Sequence, residues 1–211
     1  MQHKRSLVRR GAAAVIAGAA VLVLAACGGD GDGDGPATGH GGHDAGSPSA
    51  SASVPQGRHN AADVAFATGM IPHHRQAVEM ADLAPGRARS AEVKKLAAEI
   101  KKAQDPEIRT LSGWLSSWGE QVPAEGAMDH SRHGTGGMMT AEETAELENA
   151  SGAAFDTAFM EMMIKHHEGA VEMARTERAD GAHPPAKKMA AEIITSQSAE
   201  IEQMNKLLGR D

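Results

Sequence analysis

Two segments of the chain place a pair of adjacent histidines among methionines. The first reads MIPHHRQAVEMA at residues 70–81, and the second reads MIKHHEGAVEMA at residues 163–174. Imidazole nitrogen and thioether sulfur are both metal ligands, and together they favour copper, because sulfur suits Cu(I) and nitrogen suits Cu(II). The candidate metal ligands in these segments are Met70, His73, His74, Met80, Met163, His166, His167 and Met173.

The spacing of these residues suits a helix whose apolar face carries the histidines. A helical wheel places His73 and His74 within or beside an apolar stripe, whereas Arg75 and Glu79 fall on the opposite side. Adjacent residues on a helix diverge by about 100°, so the two histidines cannot readily chelate one ion alone. Residues three or four apart do converge, which brings Met70 toward both. Each segment is therefore predicted to offer half of a site that a second helix completes.

Two interpretations of the histidines remain open. A histidine on an apolar stripe is more often a hydrogen-bonded core residue than a ligand, and methionine commonly fills irregular cores. The chain could thus be a structural or protein-interaction bundle whose core histidines have no metal role. A metal-dependent oxidase is a third possibility, but no acid–base pair or nucleophile motif accompanies the histidines, and we do not expect an enzyme.

A second group of histidines and methionines lies between the two segments, in the glycine-rich stretch at residues 125–139. This composition predicts a loop. Methionines in a loop have no core to fill, so we interpret this stretch as an accessory copper-capturing segment. Its candidate ligands are Met128, His130, His133, Met138 and Met139.

The two segments belong to an internal repeat that determines the predicted architecture. Residues 63–81 and 156–174, offset by 93 positions, share 12 identities in 19 positions, and the same register aligns residues 94–108 with 187–201. The long unit occurs twice, which predicts a duplicated helical hairpin. With no Tyr, three Phe and two Trp, the core must rely on Ala, Leu, Ile and Met. The sequence therefore predicts an all-α four-helix bundle.

Local signals give approximate bounds for the helices. Four helices are expected over residues 60–83, 90–118, 140–179 and 186–208. Pro85 is expected to end the first helix, and Ser90 is the predicted N-cap of the second. Pro106 should kink or break that second helix. A capping box begins at Thr140, and the third helix could restart at Ser151.

The first 27 residues have the pattern of a secretion signal. Four basic residues precede a short apolar run, which ends in LAAC at residues 24–27. LAAC resembles a bacterial lipobox, in which Cys27 receives the lipid. We therefore predict an extracytoplasmic protein that is anchored to the membrane through lipidated Cys27 only.

The remaining chain divides into a tether and one folded domain. Residues 28–58 are rich in Gly, Ser and Asp, which predicts a disordered tether. Residues 59–211 form the predicted domain, with halves at about 59–119 and 140–211 and the Met/His-rich loop at 120–139.

Charge and cysteine content exclude several classes of protein. Cys27 is the only cysteine, so the domain can form neither a zinc finger nor an iron–sulfur site. Removal of the four basic residues of the signal changes the formal charge from −7 to −11. Such an acidic protein is a poor candidate for nucleic-acid binding, and a metal ion is the expected partner.

The motifs MIxHH and AVEMA, each present twice, resemble those of the CopM-like family of domains of unknown function. The resemblance covers residues 59–211 and implies a ferritin-like helical bundle, with copper binding and copper resistance in the bacterial envelope for some members. Di-iron carboxylate proteins need Glu three residues before the histidine. Met70 and Met163 occupy those positions here, so ferroxidase activity is not expected. The predicted function is copper binding and buffering in metal homeostasis or resistance.

Overall fold

The computed structural model describes residues 58–125 and 135–210. The regular secondary structure of these residues is all helical, as predicted, and includes no β-strand. Their helices are α1 (Ala61–Arg87), α2 (Ala91–Trp118), α3 (Ala141–Asn149), α4 (Gly152–Asp180) and α5 (Pro184–Leu207), and a 3-10 turn spans Thr135–Gly137. None of the helices described is both long and apolar enough to span a membrane. The predicted signal segment, the lipidation site Cys27 and the predicted tether up to residue 57 lie outside the described residues.

The long helices pack as two hairpins that meet through their histidine-bearing helices. Helix α1 packs along α2, α4 packs along α5, and α1 also packs against α4. The structure splits the third predicted helix into α3 and α4, because the chain is non-helical at Ala150 and Ser151. The described part therefore contains four long helices and one short helix, where four helices were predicted.

The predicted helix starts are confirmed at two positions. The Ser90 hydroxyl accepts hydrogen bonds from the backbone N–H groups of Glu92 and Val93 at the start of α2. Thr140 and Glu143 form the predicted capping box at the start of α3. These bonds satisfy backbone donors that have no partner inside the helix.

Pro85 and Pro106 were less reliable guides to where helices end than the capping residues were to where helices begin. Helix α1 continues through Pro85 to Arg87, and α2 runs through Pro106 without a break. The predicted end of α1 was therefore wrong. Proline removes one backbone N–H, but Ala88 N–H still bonds to the Ala84 carbonyl. Ala84 and Ala88 are also buried in the core, so packing offsets the lost hydrogen bond.

Two buried aspartates join each hairpin to the other. Asp156 on α4 accepts hydrogen bonds from the backbone N–H groups of Arg89 and Ser90 at the start of α2. At the equivalent place in the repeat, Asp63 on α1 accepts from Ala182 and His183 at the start of α5. Both carboxylates are thus used to hold helix starts, and these contacts fix α1 and α4 relative to the neighbouring hairpin.

Candidate metal centre

Helices α1 and α4 bring the two His-His motifs together at one level of the bundle. The ring centroids of His73 and His166 are 3.7 Å apart, with 43° between the ring planes. Both rings are buried, as are their neighbours His74 and His167. The first histidines of the two motifs therefore lie against each other where α1 meets α4.

The ring nitrogens of this facing pair are largely unpaired. His73 Nε2 lies 2.8 Å from the Gly136 carbonyl oxygen and must donate, because a carbonyl only accepts. His73 Nδ1 and both nitrogens of His166 have no hydrogen-bond partner. The His73 backbone is the only influence that raises the pKa of His166, and burial outweighs it. A buried polar atom without a partner costs about 1–3 kcal/mol.

Burial keeps this pair neutral. It lowers the pKa of His73 to about 3, with a further contribution from His74. Burial also holds the pKa of His166 well below its usual value, and His73 adds to that effect. Both rings therefore present uncharged nitrogens at neutral pH, which is the form of imidazole that binds a metal.

The second histidine of each motif contacts a glutamate on the outer helix of its own hairpin. His74 Nε2 is 2.8 Å from Glu107 Oε2 on α2, and His167 Nε2 is 2.6 Å from Glu200 Oε2 on α5. In both rings Nδ1 is buried and unpaired. Sequence reasoning missed the two glutamates, although the 93-residue register aligns them as identical residues.

The motif methionines lie in the two apolar clusters of the core. One cluster contains Met80 of α1 with Met163 of α4, and the other contains Met70 of α1 with Met173 packed against it from α4. Met70, Met80 and Met163 are fully buried. Each cluster therefore combines a methionine that precedes one histidine pair with a methionine that follows the other.

The end of the predicted loop is fastened to the same region. Gln76, three residues after His73, accepts from Met139 N–H at 2.7 Å and donates to the Met139 carbonyl at 2.9 Å. At the equivalent position of α4, Gly169 leaves room for the backbone of Gly136 and Gly137. These contacts hold the Gly136 carbonyl against His73.

The structure corrects one premise about the accessory ligands. Met139 was expected to have no core to fill, but it is buried in the same cluster as Met80 and Met163. Its burial follows from the Gln76 contacts, which draw the backbone of Met139 inward. Met138 is partly exposed. Met128, His130 and His133 lie outside the described residues.

Histidine, aspartate and glutamate alone do not complete a metal site here. In the described ranges no three side chains of His, Cys, Asp or Glu are placed to hold one ion. The carboxylates of Asp63 and Asp156 already accept hydrogen bonds from backbone N–H groups at the starts of α5 and α2. A site at the histidine pair would therefore need a donor of another kind. The thioether sulfur of the motif methionines is one such donor, and imidazole together with methionine fits copper.

Comparison with known proteins identifies a matching family and several similar solved structures. The profile of the family described as domain of unknown function DUF305 matches residues 63–208. No match was found among curated proteins. A DUF305 protein of Streptomyces coelicolor that is classed as secreted is 32% identical, covering 70% of this chain and 92% of that one, with a TM-score of 0.63. A DUF305 fragment from Deinococcus radiodurans is 28% identical, covering 72% and 98%, with a TM-score of 0.65.

CopM is similar to this chain over a comparable length. Its Cu(I)-bound form is 36% identical, covering 69% of this chain and 94% of CopM, with a TM-score of 0.57. Its Cu(II)-bound form is 35% identical with a TM-score of 0.61, and CopM also has silver-bound forms. Since the family profile spans well over half of the sequence, the chain belongs to the DUF305 family and is CopM-like.

Proposed function

We propose that this protein binds copper at the buried histidine layer and buffers the metal or hands it on outside the cytoplasm. The observation that carries the proposal is the facing pair His73 and His166, whose neutral, buried rings offer three unpaired nitrogens between them. Five ring nitrogens are unpaired in the whole layer once His74 and His167 are included. A neutral imidazole has a single lone pair, so bound copper would give a partner to one nitrogen of each ring that ligates it.

The donor set supports copper more than other metals. Hard cations such as Ca²⁺ and Mg²⁺ take oxygen ligands, whereas thioether sulfur prefers soft ions such as Cu(I). Met70, Met80, Met163 and Met173 are the proposed sulfur donors. His73, His74, His166 and His167 are the candidate nitrogen donors, and since no three such side chains are placed to hold one ion in the described ranges, at most two of them would bind the same ion, with sulfur completing the site. CopM, a relative of this chain, has Cu(I)-, Cu(II)- and Ag-bound forms, which supports the same choice.

The experiment that tests the proposal is a Cu(I) titration of the purified protein against a competing chelator. The parent protein is compared with a variant in which His73, His74, His166 and His167 are changed to Ala. We expect the variant to lose the high-affinity copper. His183→Ala is the control, because His183 is also a buried histidine with an unpaired Nδ1, but it packs against Trp114 and Trp118.

Unchanged copper affinity in the fourfold variant, combined with lower stability, would favour the alternative of a structural or protein-interaction bundle. The contacts of His74 with Glu107 and of His167 with Glu200 are the observation on which that alternative rests. No copper binding by the parent would exclude the buried site altogether.

The accessory segment and the lipid anchor need separate tests. Changing Met128, His130, His133 and Met138 to Ala should lower the number of weakly bound copper ions and leave the high-affinity site intact. Cys27→Ser should move the protein from the membrane fraction to the soluble extracytoplasmic fraction. The lipobox-like LAAC and the secreted classification of the Streptomyces coelicolor relative support this localisation.

A further inference from the structure

We propose that Glu107 and Glu200 are positioning residues that fix the proton of His74 and His167 on Nε2, so that Nδ1 of each ring is the metal donor. This inference rests on the proposed function and adds two residues, as well as the identity of the ligating atom. Neither glutamate belongs to a His-His motif. Each lies on the neighbouring helix, 33 residues after its histidine.

The direction of each hydrogen bond follows from the chemistry of its partner. An ionised carboxylate only accepts, so a histidine nitrogen 2.6–2.8 Å from it must carry the proton. In a neutral imidazole the other nitrogen then holds the lone pair. That nitrogen is Nδ1 in both rings, and in both rings it is buried without a partner. The carboxylates therefore select the tautomer whose free lone pair is enclosed in the protein.

The placement of the lone pair also locates the ion. Nδ1 is bonded to Cγ and lies nearer the backbone of its own helix, whereas Nε2 reaches outward to the glutamate on α2 or α5. An ion bound by Nδ1 would therefore lie closer to α1 or α4 than to the glutamate, inside the protein, where Nδ1 is buried. A carboxylate that accepts from the distal N–H also raises the basicity of the ligating nitrogen.

The repeat supplies an independent observation. The His–Glu contact occurs once in each half, with the same atoms and nearly the same distance. The local sequence differs, since Asp105 and Pro106 precede Glu107 while Ser198 and Ala199 precede Glu200. The side chains of the two glutamates are 21% and 19% exposed. Both halves thus present a carboxylate that is still reached by water and a histidine nitrogen that is not.

The test combines the apo protein with two pairs of variants. In the parent, two-bond ¹H–¹⁵N correlation spectra should show His74 and His167 as Nε2–H tautomers, and Ag(I) should shift the Nδ1 resonances. Glu107→Leu with Glu200→Leu removes the acceptors, so we expect mixed tautomers and about 10–100-fold weaker Cu(I) binding. Glu107→Gln with Glu200→Gln keeps an acceptor oxygen without the charge, so the tautomer should persist while affinity falls less.

The chain offers a matched control. Glu99 and Glu192 are equivalent in the repeat, and each forms an exposed ion pair with a lysine four residues away on its own helix. Glu99→Gln with Glu192→Gln makes the same change of charge on α2 and α5 without touching a histidine. Copper affinity and tautomers should stay as in the parent.

Several results would overturn the inference. An Nδ1–H tautomer of His74 and His167 in the parent protein would overturn it before any variant is made. Parent-like Cu(I) affinity in the Leu variants would do so as well. If these fail to fold, Glu107→Ala with Glu200→Ala removes the same acceptors, and parent-like affinity there decides in the same way. A parent that binds no copper contradicts the proposed function itself, which separates the two failures.

Discussion

The histidine layer is hard to explain as packing alone. Its five unpaired ring nitrogens are enclosed in a core whose other members are mainly alanine, leucine, isoleucine and methionine. Each such nitrogen costs about 1–3 kcal/mol when nothing binds it. A protein can carry that cost where it serves function, because an active site need not be optimal for stability.

The first prediction concerns His166, the ring with neither nitrogen bonded. His166→Leu should stabilise the metal-free protein by about 1–3 kcal/mol, since it replaces two unpaired polar atoms with apolar surface. Copper should stabilise the parent and have no such effect on the variant. Urea unfolding with a chelator and with one equivalent of Cu(I) measures both quantities.

His73→Leu is the matched comparison. It removes one unpaired nitrogen but also leaves the Gly136 carbonyl without its donor. The gain in stability should therefore be smaller than for His166→Leu, or absent. A metal-free His166→Leu protein that is less stable than the parent would indicate that the histidine is a satisfied structural residue.

At the scale of elements, the buried aspartates connect the two hairpins in addition to the packing of α1 against α4. Asp156 is 8% exposed and caps the start of α2 through two backbone N–H groups. Asp156→Ala should lower the free energy of unfolding by about 1–2 kcal/mol, because two partly buried backbone N–H groups lose their acceptor. Thermal and urea unfolding provide the measurement.

Asp82→Ala is the control for that change. Asp82 lies on α1, which is also a histidine-bearing helix, but its carboxylate forms an exposed ion pair with Lys101. Exposed ion pairs contribute about 0–1 kcal/mol. Equal losses of stability in the two variants would show that the Asp156 caps contribute little.

The third prediction concerns the contact between α4 and the backbone at residues 136–137. A methyl group at Gly169 would collide with the Gly136 carbonyl, whereas one at Gly69 on α1 would make an ordinary contact with Met173 sulfur, 3.6 Å away. Alanine normally stabilises a helix interior by up to about 1 kcal/mol relative to glycine. Gly69→Ala should therefore be neutral or stabilising, and Gly169→Ala should be destabilising.

Hydrogen exchange tests the structural part of that prediction. In Gly169→Ala the Met139 amide, which donates to Gln76, should exchange faster because the neighbouring backbone is displaced. The same amide should be unaffected in Gly69→Ala. Equal protection of Met139 in both variants would contradict the proposed collision.

The sequence predicted what depends on local signals and on the repeat. The Ser90 and Thr140 caps are local, and the two histidine segments align in one register, so the helices and their buried faces could be inferred. Pro85 misled because tertiary packing keeps α1 helical beyond it. Met139 and Glu107 could not be placed from periodicity, since their partners Gln76 and His74 lie 63 and 33 residues away.

At the scale of the whole molecule, duplication gives two nearly equivalent halves, and the departures from equivalence are informative. Gln76 corresponds to Gly169, and this difference lets one backbone segment bond to α1 while it lies against α4. Glu177 corresponds to Ala84, so only one of the two capping aspartates, Asp63, has a buried carboxyl group beside it. The difference between Gln76 and Gly169 affects the candidate metal centre, and the difference between Glu177 and Ala84 affects stability.

Glu177 should make stability depend on pH. It is 1% exposed, and burial, assisted by Asp63, raises its pKa to about 8. In the unfolded chain its pKa is about 4.5, so between these values the folded state holds the proton more tightly. Stability therefore falls as pH rises toward 8, by at most about 1.4 kcal/mol per pH unit, and levels off above it.

The histidines contribute with the opposite sign, which defines the window for the measurement. Because the pKa of His73 is about 3 when folded and about 6.5 when unfolded, its contribution to stability rises with pH only up to about 6.5. Between pH 6.5 and 8 the decline assigned to Glu177 should dominate. Chelator-treated Glu177→Gln should lose most of that decline, whereas Glu172→Gln, an exposed change on the same helix, should retain it. Urea unfolding in steps of half a pH unit measures how the free energy of unfolding changes with pH. The same pH dependence in the parent and in Glu177→Gln would show that Glu177 ionises normally in the folded protein.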